Sequence, residues 1–202
     1  MKNGFLKSLL RSSQTVFTFK DLLLQWDGID VTTARKRVNY YIQTKALYPI
    51  RRGIYAKDEN YDRFELATKI YTPAYISFET VLGSTGVTFQ YYGQIFVASY
   101  QSKELEVDRQ RIVFRTLKNS ILINSIGVIN QGLYSIATPE RAFLDTVYLN
   151  KEYHFDQPAS LDWDLVNSII PIYGNISTFI KRVNVYRSSV EGDLNDNRSH
   201  RS

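Results

Sequence analysis

The sequence contains no cysteine and only two histidines, His154 and His200. A disulfide framework and a cysteine-ligated zinc site are therefore impossible within the chain, and a multi-histidine metal site is not expected. Neither metal nor cofactor is called for. No apolar run approaches the ~20 residues that cross a bilayer, so no membrane span is expected. The opening stretch, residues 1–14, has basic residues but too broken an apolar centre for a signal peptide, and a cytoplasmic address is expected. A phosphate-cradling loop is missing too. Gly83-Ser-Thr-Gly86 has no Gly-Lys-Ser/Thr behind it and reads as a helix-ending turn. No internal repeat is present.

The composition is 44% hydrophobic, 14% aromatic and 22% charged, which excludes a wholly disordered chain. At 202 residues the chain makes one domain or two small ones with a sizeable core. Net charge is +5, unevenly spread. Residues 1–57 hold eleven Lys/Arg against three acids, Asp21, Asp27 and Asp30, a balance of +8 that leaves −3 to the remainder. A small basic module on a mildly acidic body points to a polyanion-binding part and a part with another task.

Local signals then order the elements. Residues 4–12 predict a short helix with Phe5, Leu6, Leu9 and Leu10 on one side. Thr18 and Asp21 stand at capping-box spacing before the run Phe19–Trp26, and Gly28 is placed just past that helix as its C′ residue. A second helix is expected from Thr32 or Thr33 to about Lys45. Residues 46–56 read as two short strands around an Arg51-Arg52-Gly53 turn, where glycine supplies positive φ. Helix, helix, short turn, helix and basic hairpin is the order of a winged helix-turn-helix, assigned to residues 1–57.

Asp58–Asp62 reads as a polar linker to a body over 58–187. There, helices are expected at 64–71 and from Phe78 to Gly83, the latter capped by Ser77 with Glu79 in its first turn. Strands are expected at 95–100, 111–116 and 120–123, with a hairpin of 128–129 and 133–136. Thr138-Pro139-Glu140 is a helix start of cap, proline and acid, with the helix running to about Asn150. Further helices are placed at 162–170 and 175–187, and a disordered tail at 188–202. The fold class expected is α+β: a winged helix-turn-helix, then a mixed body with a small antiparallel sheet and C-terminal helices.

At 100° per residue the 33–45 helix puts Ala34, Val38, Tyr41 and Ile42 on one face. Thr33, Lys36, Asn39, Tyr40 and Gln43 fall opposite, with Arg35 and Arg37 on the flanks and Thr32 at the start. Amides pair with adenine edges, Arg and Lys meet guanine, and hydroxyls reach phosphates. A solvated helix surface is also polar. The neighbouring Arg51 and Arg52 turn the reading toward DNA, and all ten residues are taken as the candidate interface. The body offers less chemistry. Glu140 reads as a helix-start acid, Asp145 as an i,i+4 partner of Arg141, and His154 as a surface or packing residue.

Three stretches carry a family resemblance across residues 15–150. One is Tyr48–Ala56, with its arginine-glycine-aromatic-alanine wing. The second is Phe64–Leu82, containing Pro73, Tyr75, Ile76, Ser77 and Glu79. The third is Ile136–Leu149, with Ala-Thr-Pro-Glu followed by Arg141, Phe143 and Asp145. Together they resemble the AbiEi-type antitoxins, the transcriptional-regulator halves of type IV toxin–antitoxin systems found in phage-defence loci. Gly83-Ser-Thr-Gly-Val87 departs from the aromatic-rich end usual there, and Arg141 and Phe143 stand where Lys and Leu are common. The resemblance implies Gly53, Pro73, Ser77, Thr138, Pro139 and Glu140 as fold-defining positions. It implies a repressor that binds promoter repeats of its own operon in double-stranded DNA and counters a nucleotidyltransferase toxin, directly or indirectly. Self-association stays open. Two rivals remain: a stand-alone regulator with a ligand-sensing or dimerising body, and a nuclease targeted by its winged helix.

Overall fold

The computed structural model describes residues 4–90 and 92–199. The chain is mixed α+β with two sheets. The N-terminal part runs α1 (Gly4–Arg11), β1 (Val16–Thr18), α2 (Phe19–Gln25), α3 (Val31–Gln43), β2 (Tyr48–Arg51) and β3 (Ile54–Ala56). The three strands form an antiparallel sheet in the order β1-β3-β2. Leu9, Phe17, Leu22, Trp26, Ala34, Val38, Tyr41 and Leu47 close a core of their own between the helices and this sheet.

The capping box at Thr18 and Asp21 forms in both directions. Two boundaries move. Trp26 is the C-cap of α2, so Gly28, at φ 76°, lies one residue beyond the C′ position expected of it. Helix α3 starts at Val31, ahead of the Thr32 or Thr33 expected, and Asp30 caps it, its side chain accepting from Thr33 N at 2.9 Å. The Thr33 side chain, and then its backbone amide, hold the Asp30 carboxyl below the usual carboxylate range. Strand β1 gave no sequence signal, because three residues inside a capping motif are too few to show period two.

The body begins with α4 (Arg63–Ile70), capped by Asp62 through Phe64 N at 2.7 Å and Glu65 N at 2.8 Å. It continues through β4 (Ala74–Ile76), α5 (Glu79–Ser84), β5 (Ile95–Ser99), β6 (Lys103–Val107), β7 (Gln110–Thr116), α6 (Asn119–Leu122), β8 (Val128–Asn130), β9 (Ser135–Ala137), α7 (Pro139–Leu149), α8 (Trp163–Ile169) and α9 (Ser177–Ser199). The expected small antiparallel sheet is in fact a six-stranded mixed one, in the order β6-β7-β5-β4-β9-β8. Pairs β5/β7 and β4/β9 are parallel, the other three antiparallel. Every residue of β5 is buried, which is why its sequence is a continuous apolar run rather than an alternation. Helix α4 packs on β4 and β5, while α7 packs against α5, α8 and α9.

Four further expectations are corrected. The strand expected at 120–123 is instead the short helix α6, Asn119–Leu122, with Ile123 as its C-cap. Ile121 and Leu122 are buried and Ile123 is exposed, a run too short for periodicity to separate the two states. Ser77 does not cap α5. Phe78 stands at the cap with φ 55°, and the Ser77 hydroxyl donates instead to Asp145 Oδ2 at 2.8 Å. The 188–202 tail is helical as far as Ser199, as the continuation of α9, with Val190 buried and Arg187 paired with Glu191 at 2.9 Å. Residues 200–202, including His200, lie outside the described residues. Nor is 58–62 a free linker: Tyr61 is 5% exposed and belongs to the body core.

Helix α7 is buried from Glu140 to Val147, and its start is as expected: Thr138 caps through Arg141 N and Pro139 occupies the first turn. Its charged residues are matched inside the protein. Arg141 Nε meets Asp145 Oδ1 at 3.2 Å, both side chains being fully buried. Asp145 also accepts from the hydroxyls of Tyr173 (2.7 Å), Ser77 (2.8 Å) and Tyr75 (2.9 Å). Arg141 reaches the Ile126 carbonyl at 2.7 Å, the Ile121 carbonyl at 2.8 Å and Tyr75 Oη at 2.9 Å. Burial pushes the Asp145 carboxyl up, against the pull of Arg141 and the three hydroxyls. Glu140 is an anchor as well as a first-turn acid: Oε1 accepts from Asp162 N at 3.2 Å, tying α7 to the cap of α8. Pro73 follows a cis peptide bond and leads into β4.

Candidate nucleic-acid interface

Helix α3 has no acidic residue, and its apolar residues Ala34, Val38 and Tyr41 face the small core. That one-sided burial leaves Thr32, Thr33, Arg35, Lys36, Asn39, Tyr40 and Gln43 exposed, as the periodicity predicted. Arg37 differs. It is half-buried, with its guanidinium 5.8 Å from the Trp26 ring centroid, so it packs against the core as well as carrying charge.

The strands β2 and β3 are joined by Arg52-Gly53, with Arg51 opposite Ile54. Gly53 sits at φ 82°, the left-handed conformation the tight turn requires. Its carbonyl accepts from Phe19 N at 2.8 Å. The turn is thereby docked on the start of α2 rather than left as a free loop.

Seven of the ten predicted residues divide between two grooves that flank α3. Arg35 and Asn39 share one with Arg52, walled by Phe19 and Tyr55. Thr33, Lys36, Arg37 and Tyr40 line the other, on the α1 side, with Leu6. Thr32 and Gln43 are exposed at the two ends of the helix, and Arg51 is exposed on β2; these three line neither groove. Phe19 and Tyr55 escaped the sequence reading because each looked like core. Arg35 lies 5.8 Å above the Phe19 ring. Burial raises the Tyr55 hydroxyl, and the nearby Arg35 charge pulls it back. The groove is thus cationic with aromatic walls.

The body's buried carboxylates are already occupied: Glu65 by Lys69 at 3.0 Å, Glu79 by Arg115 at 2.9 Å, Asp145 by Arg141 and Glu140 by the Asp162 amide at 3.2 Å. Arg115 is also held between the rings of Phe78 and Phe96, at 4.9 and 4.6 Å. His154 is exposed, 3.5 Å from Asp156. Among the described residues, no group of three or more His, Asp or Glu side chains comes together to hold a metal ion, and no helix is long and apolar enough to cross a membrane. No family model and no curated protein matches the chain.

Proposed function

We propose that residues 1–57 form a winged helix-turn-helix that binds double-stranded DNA, with α3 as the recognition helix and the β2–β3 turn as the wing. The observation that carries this reading is the convergence of Arg35, Asn39 and Arg52 in one groove between a helix and a turn. Helix α3 is long enough to lie in a major groove, and its exposed side offers two amides and two bases for base edges and phosphates. The wing adds Arg51 and Arg52 for phosphate or minor-groove contact. A charge of +8 confined to this part supports the same assignment.

The chain acts in this reading as a repressor of its own operon in the cytoplasm, and not as an enzyme. The resemblance of its three motifs to AbiEi-type antitoxins extends the reading to a second task for the body, opposing a nucleotidyltransferase toxin. Two titrations test the proposal. In the first, the full chain is titrated with a duplex from upstream of its own gene and with a random duplex of equal length. Specific binding tighter than the roughly 1–100 µM of nonspecific association supports the repressor. Equal, salt-insensitive or absent binding overturns it. In the second, the chain is co-expressed with the nucleotidyltransferase of a neighbouring reading frame. Growth rescue supports the antitoxin task, and unrelieved toxicity removes it.

A further inference from the structure

We propose that Glu65 is a positioning residue of the nucleic-acid interface: a carboxylate of the body that fixes how α2, α3 and the wing are presented. The proposal rests on the DNA-binding reading above and adds to it a residue that touches no nucleic acid.

Glu65 lies on α4 and is fully buried. Its Oε2 accepts from Thr15 N at 2.8 Å, Thr15 Oγ1 at 2.6 Å and Val16 N at 3.2 Å. All three donors belong to the entry of β1, in the N-terminal part. Its Oε1 lies 3.0 Å from Lys69 Nζ. Lys69 reaches onward: its ammonium donates to the Val16 carbonyl, lies 3.5 Å from Asp21 Oδ2 and sits 5.7 Å from the Phe17 ring centroid. Asp21 is half of the capping box that starts α2, and the first residue of α2, Phe19, holds the wing through the Gly53 carbonyl. Helix α2 packs on α3. A continuous series of hydrogen bonds and ion pairs therefore runs from a body helix to the wing turn.

A second mount grips the far side of the small sheet. Tyr61 stacks on Tyr48 of β2 with ring centroids 6.3 Å apart, and its hydroxyl donates to Asp108 Oδ2 at 2.7 Å, at the turn between β6 and β7. Arg63 covers the Tyr61 ring at 4.3 Å and stands 3.7 Å from Asp108.

An apolar side chain at position 65 would seat β1 without the desolvation penalty of a buried carboxylate. What the carboxylate adds is direction. Three donors converging on one oxygen define a single register and angle, whereas an apolar contact tolerates sliding. If the joint loosens, the interface samples other orientations, and the apparent affinity falls by the fraction that remains competent.

The experiment uses the full chain as Glu65→Gln, with Lys69→Met as a second variant that keeps the stem and removes the ammonium. Three quantities are read: backbone amide exchange at Thr15, Val16 and Thr18; the melting temperature; and affinity per folded molecule for a duplex the wild type binds, across salt. The proposal expects faster exchange at those amides and an affinity about tenfold lower, as a competent fraction near one in ten implies. The salt slope should be unchanged, because every basic contact is still present. Should Glu65→Gln fail to fold, the same pattern in Lys69→Met carries the proposal. Faster exchange and lower melting with wild-type affinity would make the joint a stability feature only and overturn it. A wild-type chain that binds neither specific nor random duplex would overturn the DNA reading itself, and the proposal with it.

Discussion

Replacing Asp145 with alanine is the sharpest test of how the body is held together. The carboxylate accepts four hydrogen bonds, from Arg141, Tyr75, Ser77 and Tyr173, in a site from which solvent is excluded. Alanine leaves the Arg141 guanidinium buried with neutral partners only, namely two backbone carbonyls and the Tyr75 hydroxyl at 2.7–2.9 Å. Stranding one member of a buried ion pair costs about 3–5 kcal/mol. At ~2–4 °C per kcal/mol for a chain of this size, the melting temperature should fall by roughly 6–20 °C. Asp145→Asn keeps the shape but also removes the charge opposite Arg141, so a loss at the lower end of that range, about 3 kcal/mol, is expected. Arg141→Met separates the pair from the network: alone it strands Asp145, but combined with Asp145→Ala it removes both charges. Urea unfolding of the four proteins in a double-mutant cycle should give a coupling of at least ~2 kcal/mol, with the double variant well short of the sum of the singles. Additivity within ~0.5 kcal/mol, or an Asp145→Ala protein within ~1 kcal/mol of wild type, would refute the idea that these charges form one unit.

Other outcomes follow from the same geometry. Arg35→Ala and Lys36→Ala should each lower the slope of log affinity against log salt by ~0.9 if they meet phosphates of B-form DNA, with little change in melting because both are exposed; Arg37→Ala should lower melting as well, because it is half-buried against Trp26. Asn39→Ala should relax sequence preference in a binding-site selection rather than weaken all duplexes equally. Gly127→Ala should cost about 2–4 kcal/mol in denaturant unfolding, since a Cβ there would lie 2.9 Å from Arg141 Cβ and from Ile169 Cδ1 at a backbone φ of 74°. Asp30 stabilises α3 above the unfolded carboxylate pKa, because its folded value is depressed by Thr33, and that contribution is lost as pH falls through the folded value. The melting-temperature difference between wild type and Asp30→Asn should therefore close as pH drops below about 4.

Helix boundaries with side-chain caps were legible because the signal is local. Thr18/Asp21 and Thr138/Pro139 each lie within four residues of what they cap. The basic face of α3 was legible for the same reason, since one period of 3.6 residues sorts it. What failed was long-range. Tyr75 and Ser77 lie about 70 residues before Asp145 and meet it only when β4 is laid beside α7, so Ser77 looked like a cap, and the i,i+4 pairing of Asp145 with Arg141 was legible while its three hydroxyl donors were not. Strand β4 pairs in parallel with β9 across the intervening α5, α6 and four further strands, a partnership that no neighbouring residue announces. In α9, the Arg187/Glu191 spacing marked a helix in a stretch whose polar composition read as a tail.

Charge and apolar patterning also divide the chain in different places. Charge changes sign at residue 57, and on that basis 58–202 looks separable. The cores say otherwise. Val16, Ile54 and Ala56 belong to the large core of the body, not to the small core that backs α3. Glu65, 0% exposed, takes its donors from Thr15 and Val16 on the other side of that boundary. A fragment beginning at residue 58 would expose the apolar seat of β1 and β3 and leave a buried carboxylate with Lys69 as its remaining partner, so it should melt well below the full chain. Charge marks where a surface meets its partner, and an apolar core marks what must stay together for the surface to exist. In this protein the small sheet belongs to both. Its β2–β3 turn carries Arg52 toward α3 while its β1 strand is held by the body, and the basic part is therefore a face of the whole molecule rather than a module attached to it.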